Sequence, residues 1–209
     1  MIKTLLLDPP WKMCSGGKSS INVHYQYPLQ SQEEIKETVD GWLSQVEICE
    51  EAHLYLWSIN SFSTGGCRGI LDAVDLCSHI GFRPITLIPW VKTNIGNPTP
   101  YGMRAVEQCL FGVKNRQGKI REVAWTGGSV ANNLSSSVDY FLEPRTSHSK
   151  KPERFYEYIE NRSHGPYLEL YARNRWPGWT SFGNEVDGRL PKTRPQTESQ
   201  KRQISLWED

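Results

Sequence analysis

The 209-residue sequence lacks the features that mark several structural classes. No apolar run approaches the length of about 18 residues that a membrane-spanning helix needs, and no signal-peptide pattern follows Met1. The five cysteines include no Cys-x-x-Cys pair, and the five histidines show no ligand spacing. We therefore expect a cytoplasmic protein that has no membrane partner, no disulfide framework and no bound metal.

The sequence also has little net charge. The formal value of +1 argues against a protein that binds nucleic acid by bulk charge. This sum hides an asymmetry, because residues 33–51 carry seven acids and one base, a local charge of −6, which leaves +7 on the rest of the chain. Four bases without an acid form one cluster, Lys114, Arg116, Lys119 and Arg121. Such a cluster contacts phosphates if it flanks a binding site, and otherwise it is a solvated hairpin.

Hydropathy patterns predict strands that alternate with helices. Residues 3–7 (KTLLL) predict a buried strand that stops at Asp8-Pro9-Pro10, and Ser31 with Glu34 forms a capping box that opens a helix over residues 33–51. Further strands are predicted at 54–59, 82–91, 109–113, 120–125, 138–142 and 167–172, and further helices at 70–80 and 152–159. The alternation indicates an α/β fold with a mainly parallel sheet, helices on both faces and an edge hairpin formed by 109–113 and 120–125.

The tetrad Asp8-Pro9-Pro10-Trp11 is the most informative motif. It follows a predicted strand directly, and in parallel α/β sheets ligands bind beyond the carboxyl ends of strands. The exocyclic amine of adenine is a poor nucleophile because its lone pair is delocalised into the ring. A carboxylate and a proline carbonyl that accept its two N–H groups would localise that pair, and Trp11 would stack on the base with about 1–3 kcal/mol. The alternative is a rigid turn with a surface tryptophan.

Eight sequence blocks, in the same order, resemble the MT-A family of adenine 6-amino methyltransferases. They are LLLDPPW, YQYPLQSQEEI, LYLWS, IPWVKTN, RAVEQCLFGVKN, SHSKKPERFYEYIE, LELYARNRWPGW and GNEVDG. The resemblance implies a Rossmann-like class I methyltransferase domain over residues 1–188, and the polar residues 189–209 predict a disordered tail. It implies S-adenosylmethionine as the methyl donor, S-adenosylhomocysteine as the product and adenine in nucleic acid as the substrate. We favour DNA over RNA because the chain is compact like bacterial and phage members.

The resemblance also assigns roles to individual residues. It implies a catalytic loop of Asp8, Pro9, Pro10 and Trp11, with Asp8 also near the donor's methionine ammonium. It implies donor-binding positions at Lys151, Glu169, Arg173, Asn184 and Glu185. It implies substrate-pocket positions at Tyr27, Lys92, Asn94 and Glu107, and Trp57 either belongs to the core or flanks this pocket. The basic cluster supplies the candidate phosphate contacts.

One departure from the family and two alternative functions remain open. Eukaryotic members carry a segment upstream of the first strand that helps to hold the donor's adenine, whereas this chain begins seven residues before Asp8. Leu170 or Tyr171 is the candidate for that contact. A catalytically inactive nucleic-acid-binding subunit is the first alternative, and methylation of a free nucleotide or small amine is the second. The sequence also leaves open whether the chain acts as a homodimer or with a partner subunit.

Overall fold

The computed structural model of the chain describes residues 1–12, 29–60, 67–94, 97–99, 102–115, 140–145, 150–183 and 186. The strands in these ranges are β1 Ile2–Leu7, β2 Ile48–Ser58, β3 Arg83–Lys92, β4 Asn97–Thr99, β5 Gly102–Arg104, β6 Val106–Lys114, β7 Phe141–Glu143, β8 Tyr167–Leu170 and β9 Trp179–Phe182. The helices in these ranges are α1 Gln32–Leu43, α2 Ile70–His79 and α3 Arg154–Glu160.

Seven strands form one sheet in the order β7-β3-β6-β2-β1-β8-β9, and β4 and β5 form a separate antiparallel ladder. β1 lies between β2 and β8 and is parallel to both. The pairs β8–β9 and β3–β7 are also parallel. β6 runs antiparallel to both of its neighbours, β2 and β3. The mainly parallel sheet of an α/β fold is therefore confirmed, and it agrees with a Rossmann-like architecture.

The position of β6 corrects the predicted edge hairpin. Residues 109–113 belong to β6, which is hydrogen-bonded to a strand on each side and lies inside the sheet. Their apolar run suits a strand that is covered on both faces, because only there are alternate side chains all buried. The predicted hairpin partner, residues 120–125, lies outside the described residues. Because β6 runs antiparallel to β2 and β3, its first residues lie beside the last residues of those two strands.

The start of α1 agrees with the predicted capping box, but the helix ends earlier than predicted. The Ser31 hydroxyl accepts a hydrogen bond from the Glu34 backbone N–H at 3.3 Å, and the Glu34 carboxylate accepts one from the Ser31 N–H at 2.8 Å. The helix ends at Leu43, and Ile48 already begins β2, so the predicted helix over 33–51 is too long. Pairing of β2 with β1 overrides the helical spacing on which the longer prediction rested.

The sheet buries a core on each face, as predicted for helices on both sides. Successive residues of β1 alternate between the faces, so that Leu5 and Leu7 lie on one side and Leu6 on the other. On the Leu5 side, α1 and α2 contribute Ile35, Val39, Trp42, Ala73, Leu76 and Cys77. On the Leu6 side, α3 packs into an aromatic core with Tyr55, Trp57, Trp90, Phe141, Phe155 and Tyr158. Packing on both faces therefore fixes the position of β1 and of Asp8, which directly follows it.

Other predictions about the whole chain remain predictions. The disordered tail at 189–209 lies outside the described residues, and the domain boundary at 188 with it. Among the described helices, none is both long enough and apolar enough to cross a membrane. The longest, α1, has 12 residues.

A buried polar network lies at the edge of the sheet where the parallel strands begin. His53, which is the register partner of Thr4, places its Nδ1 2.6 Å from the Ser163 hydroxyl oxygen. The Tyr55 hydroxyl lies 2.8 Å from the same oxygen. His53 is 6% exposed, and burial, with a smaller contribution from the charge of His164, lowers the pKa of His53 to about 4. His53 is therefore neutral in the folded protein at neutral pH.

His53 should make the folding stability depend on pH. Its pKa is lower in the folded state than the unfolded value of 6.5, so its contribution is present above pH 6.5 and is lost as the pH falls towards 4. We expect the wild type to lose about 2–3 kcal/mol more unfolding free energy over this window than His53→Gln. Urea denaturation at pH 8, 6, 5 and 4 measures the difference. Identical pH profiles for wild type and His53→Gln would contradict the prediction.

Candidate active site

The ends of several strands meet at one edge of the sheet and bring charged side chains together. Asp8 directly follows β1, and Lys92 is the last residue of β3. Glu107 is the second residue of β6 and the register partner of Trp90. Because β6 runs against its neighbours, its beginning lies beside their ends, so Glu107 reaches the same edge as Asp8 and Lys92. Topology therefore gathers residues that are far apart in the sequence.

Lys151, in the segment before α3, lies at the centre of a chain of alternating charges. Its Nζ lies 2.8 and 2.9 Å from the two carboxylate oxygens of Asp8 and 3.4 Å from Glu107 Oε2. Lys92 Nζ lies 2.7 Å from Glu107 Oε1, and Arg173 Nη2 lies 3.8 Å from Asp8 Oδ2. Each of these charges has an opposite charge beside it, which offsets the free-energy cost of removing it from water.

In this row of charges, the ion pairs outweigh the effect of burial on the pKa values of Lys151 and Glu107. Burial opposes the positive charge of Lys151, but the carboxylates of Asp8 and Glu107 outweigh it and raise the pKa of Lys151 above its ordinary value. Burial likewise raises the pKa of Glu107, but Lys151 and Lys92 outweigh it and the pKa of Glu107 is lowered. Lys151 and Glu107 are therefore both charged at neutral pH. The Trp57 ring adds a cation–π contact, with its centroid 5.2 Å from Lys151 Nζ.

The tetrad forms a loop that is fixed by backbone hydrogen bonds. The Trp11 N–H donates to the Pro9 carbonyl at 2.9 Å, and the Gln30 N–H donates to the Pro10 carbonyl at 2.9 Å. The Trp11 ring is 7% exposed, and its Nε1–H donates to the Trp57 carbonyl at 2.9 Å. The observed contacts of Trp11 are thus with the core, and its stacking on a base stays a prediction. The Pro9 carbonyl oxygen keeps a second lone pair for another donor.

A cleft of about 290 Å³ opens beside Asp8, near the lower end of the range for small-molecule sites. Five of the predicted donor-binding or catalytic residues line it: Asp8, Lys151, Glu169, Tyr171 and Arg173. Leu170 is different, because its side chain is completely buried in the core beneath α1 and α2. Of the two candidates for contact with the donor's adenine, Tyr171 lines the cleft, and the contact of Leu170 stays a prediction.

Glu169 places a buried carboxyl group in the wall of this cleft. It is 6% exposed, its Oε1 accepts a hydrogen bond from the Tyr156 hydroxyl at 2.9 Å, and its Oε2 has no hydrogen-bond partner among the described residues. Burial raises the pKa of Glu169 to about 7; the Asp8 charge adds to this, while the Tyr156 hydrogen bond and Arg173 oppose it. Glu169 therefore exchanges a proton near neutral pH.

Two aromatic residues of the cleft were not predicted from the sequence. The rings of Tyr156 and Trp176 stack with a centroid distance of 4.5 Å, and both line the cleft. Tyr156 lies on α3 between Phe155, which is buried, and Glu157. The only available signal was its aromatic character within a helical pattern, which is equally typical of a core residue.

Three other predicted substrate residues, Asn94, Trp57 and Lys114, lie in different parts of the structure. The Asn94 side chain exchanges two hydrogen bonds with the Arg145 backbone, at 2.8 and 3.0 Å, and so joins two loops. Trp57 is 2% exposed and belongs to the core while it also touches the cleft. Lys114 pairs with Ala52, six residues along β2 from Ser58, so it lies about 20 Å from the cleft edge. Any phosphate contact of Lys114 is therefore remote from Asp8.

Several predictions fall on residues that the structure does not describe, namely Tyr27, Arg116, Lys119, Arg121, Asn184 and Glu185. Gly183, which precedes Asn184, is described, and a Cβ on it would lie 2.2 Å from the Ala172 carbonyl oxygen. Only glycine permits this approach of the two backbones. Among the described residues no group of three or more His, Cys, Asp or Glu side chains is arranged to hold a metal ion, and the absence of a metal stays a prediction.

Comparison with known proteins supplies the family. The sequence model of the MT-A70 family matches residues 2–185, which include every strand and helix of the described structure. The chain belongs to the MT-A70 family. The resemblance of the sequence blocks is thereby confirmed. A 46-residue segment is also 56% identical to the human N(6)-adenine-specific methyltransferase METTL4, and this match covers 21% of the chain and 9% of the human protein.

Removing the central cation of this MT-A70 site should destabilise the fold. Lys151→Met leaves the Asp8 carboxylate without its closest partner, and the negative charge of Glu107 is then no longer separated from it by a cation. We therefore expect a loss of about 2–4 kcal/mol in unfolding free energy at pH 7. Urea denaturation measures it. Lys150→Met is the matched control, because Lys150 is 45% exposed and its surface pair with Glu153 is worth about 0.2–1 kcal/mol. Equal, small losses in the two variants would contradict the prediction.

Proposed function

We propose that this chain is an S-adenosylmethionine-dependent methyltransferase that acts on the 6-amino group of adenine in nucleic acid, with DNA preferred over RNA. The observation that carries the proposal is the Asp8-Pro9-Pro10-Trp11 loop, fixed at the mouth of a cleft with Asp8 held by Lys151. Membership of the MT-A70 family and the activity stated in the name of the human relative support it.

The charged groups of the cleft suit the methionine end of this donor, which carries a carboxylate, an ammonium and a sulfonium. Lys151 and Arg173 provide positive charge for the carboxylate. The unpartnered Oε2 of Glu169 provides an acceptor for a cationic group. When it is bound, the donor supplies a methyl group activated by its positively charged sulfur. The Tyr171 side chain, whose hydroxyl donates to Gln30 Oε1 at 2.8 Å, forms a further wall of the site.

The tetrad acts on the adenine amine. One oxygen of the Asp8 carboxylate and the Pro9 carbonyl accept its two N–H groups, which localises the nitrogen lone pair for attack on the methyl carbon. Lys151 orients the Asp8 carboxylate, and the fixed φ of Pro10 sets the direction of the Pro9 carbonyl. In direct transfer a carbon–nitrogen bond would form as the carbon–sulfur bond of the donor breaks, S-adenosylhomocysteine would leave, and the extra proton of the amine would go to solvent, without a covalent enzyme intermediate. A base within a duplex must first leave its stack to reach this loop.

Transfer of a labelled methyl group tests the proposed activity. With radiolabelled S-adenosylmethionine, we expect label in 6-methyladenine of adenine-containing oligonucleotides, and more of it in DNA than in RNA of the same sequence. Single-stranded and double-stranded forms are compared, with oligonucleotides that lack adenine as the control. Donor binding without transfer to any of the four substrates would refute the activity, and a preference for RNA would refute the substrate assignment.

Replacing Asp8 by asparagine tests its role without removing its bulk. The amide would present neither the negative charge that Lys151 holds nor two accepting oxygens, so we expect kcat to fall by about 100-fold or more while the fold is retained. Asp75→Asn, at an exposed ion pair on α2, is the matched control and should transfer methyl groups as the wild type does. An Asp8→Asn variant with more than about a tenth of wild-type kcat would refute the role of Asp8.

A further inference from the structure

Two buried polar atoms without hydrogen-bond partners lie on neighbouring strands. Glu169 on β8 and Ser181 on β9 are register partners, so their side chains lie on the same face of the sheet. Glu169 Oε2 and Ser181 Oγ both lack a hydrogen-bond partner among the described residues. Buried polar groups are nearly always paired, so an acceptor and a hydroxyl left unpaired together indicate a ligand that donates hydrogen bonds.

Asp8 and Glu153, the two other carboxylates that line the cleft, each pair with a lysine. Both oxygens of Asp8 accept from the ammonium of Lys151, at 2.8 and 2.9 Å. Glu169 differs, because the Tyr156 hydroxyl holds its Oε1 and leaves Oε2 for another donor. Of these carboxyl groups, Glu169 is therefore the one with a buried oxygen that has no partner among the described residues.

The groups that face Glu169 have opposing effects on its pKa. Asp8, beyond β1, disfavours its ionisation, and Arg173, beyond β8, favours it. Tyr156 on α3 favours the ionised form by its hydrogen bond, and β9 contributes the uncharged hydroxyl of Ser181. Burial is the largest effect and raises the pKa of Glu169 to about 7. A positive charge brought to Oε2 shifts this balance towards the carboxylate.

We propose that Glu169 and Tyr156 make ligand binding in this cleft proton-linked: a cationic group of the ligand contacts Glu169 Oε2 and displaces the proton that the carboxyl carries in the protein alone. The O–H bond of the carboxylic acid breaks, its proton goes to the solvent buffer, and the carboxylate pairs with the cation. Tyr156 is a positioning residue, because its hydroxyl fixes Oε1 and thereby directs Oε2. The cation is the ammonium or sulfonium of the donor, so this inference rests on the proposed function.

Calorimetry counts the displaced protons without any catalytic turnover. S-adenosylhomocysteine, which carries the ammonium, and sinefungin, which carries a second amine in place of the methylated sulfur, are titrated into the protein in buffers of different ionisation enthalpy. We expect about half a proton released per bound molecule at pH 7, more at pH 6 and almost none at pH 8.5. Release with S-adenosylhomocysteine assigns the contact to the ammonium, and release with sinefungin alone assigns it to the cation at the reacting centre.

Two variants and a matched control identify the groups. Glu169→Gln keeps the shape of the side chain and should bind without releasing a proton. Tyr156→Phe removes the hydrogen bond to the ionised form, so proton release should extend to higher pH and affinity should fall by about 3- to 10-fold. Tyr167→Phe removes a hydroxyl that donates to the Ser163 carbonyl, and it should behave as the wild type. Thermal melting of each variant establishes that it is folded.

The outcomes separate this inference from the proposed function. If the wild type binds S-adenosylhomocysteine or sinefungin and exchanges no more protons than Glu169→Gln between pH 6 and 8.5, proton linkage is wrong while donor binding stands. If Glu169→Gln does not fold, an unchanged pH profile in folded Tyr156→Phe refutes the positioning role in the same way. If neither compound binds to the wild type, donor use itself is refuted and the inference with it.

Discussion

One ammonium group, Nζ of Lys151, pairs with carboxylates from two different strands where they meet at the edge of the sheet. It lies between a carboxylate that follows β1 and another at the start of β6, and Lys92 pairs with the far side of the second. Charges of one sign at this edge would repel each other in a poorly solvated place. Alternation of sign makes their burial tolerable, and it also sets the direction of Asp8. The geometry of the reacting group thus depends on an ion pair as much as on the backbone that carries it.

Parts of the fold that depend on neighbouring residues could be predicted from the sequence, and parts that depend on distant partners could not. The Ser31–Glu34 capping box and the strand that stops at Asp8 are set within a few residues, and both occur in the structure. The apolar run of β6 fits an edge or an interior strand equally well, because periodicity does not identify the partner strands. The predicted carboxyl end of α1 is wrong for the same reason. The residues from Ile48 onwards pair with β1, a remote segment, and form strand β2 instead of helix.

The candidate site divides in the same way. Motif blocks identified Asp8, Lys151, Glu169 and Arg173, and the structure brings all four around one cleft. Tyr156 could not be chosen over other aromatic residues of its helix, since its role depends on a carboxyl group that arrives from β8. Leu170 illustrates a constraint that the sequence did contain. Adjacent residues of a strand face opposite sides of a sheet, so the side chains of Glu169 and Leu170 lie on opposite faces.

The reversed strand β6 has a practical consequence for anyone who modifies this protein. Its nine residues cross the whole sheet, from Val106 beside the charged edge to Lys114 at the opposite one. A fluorescent label or affinity tag attached directly after Lys114 would start about 20 Å from the Asp8 edge. The same addition directly before Val106 would enter the rim next to Glu107 and Lys92. One short stretch of chain therefore offers both a remote attachment point and a position from which access to the cleft can be altered.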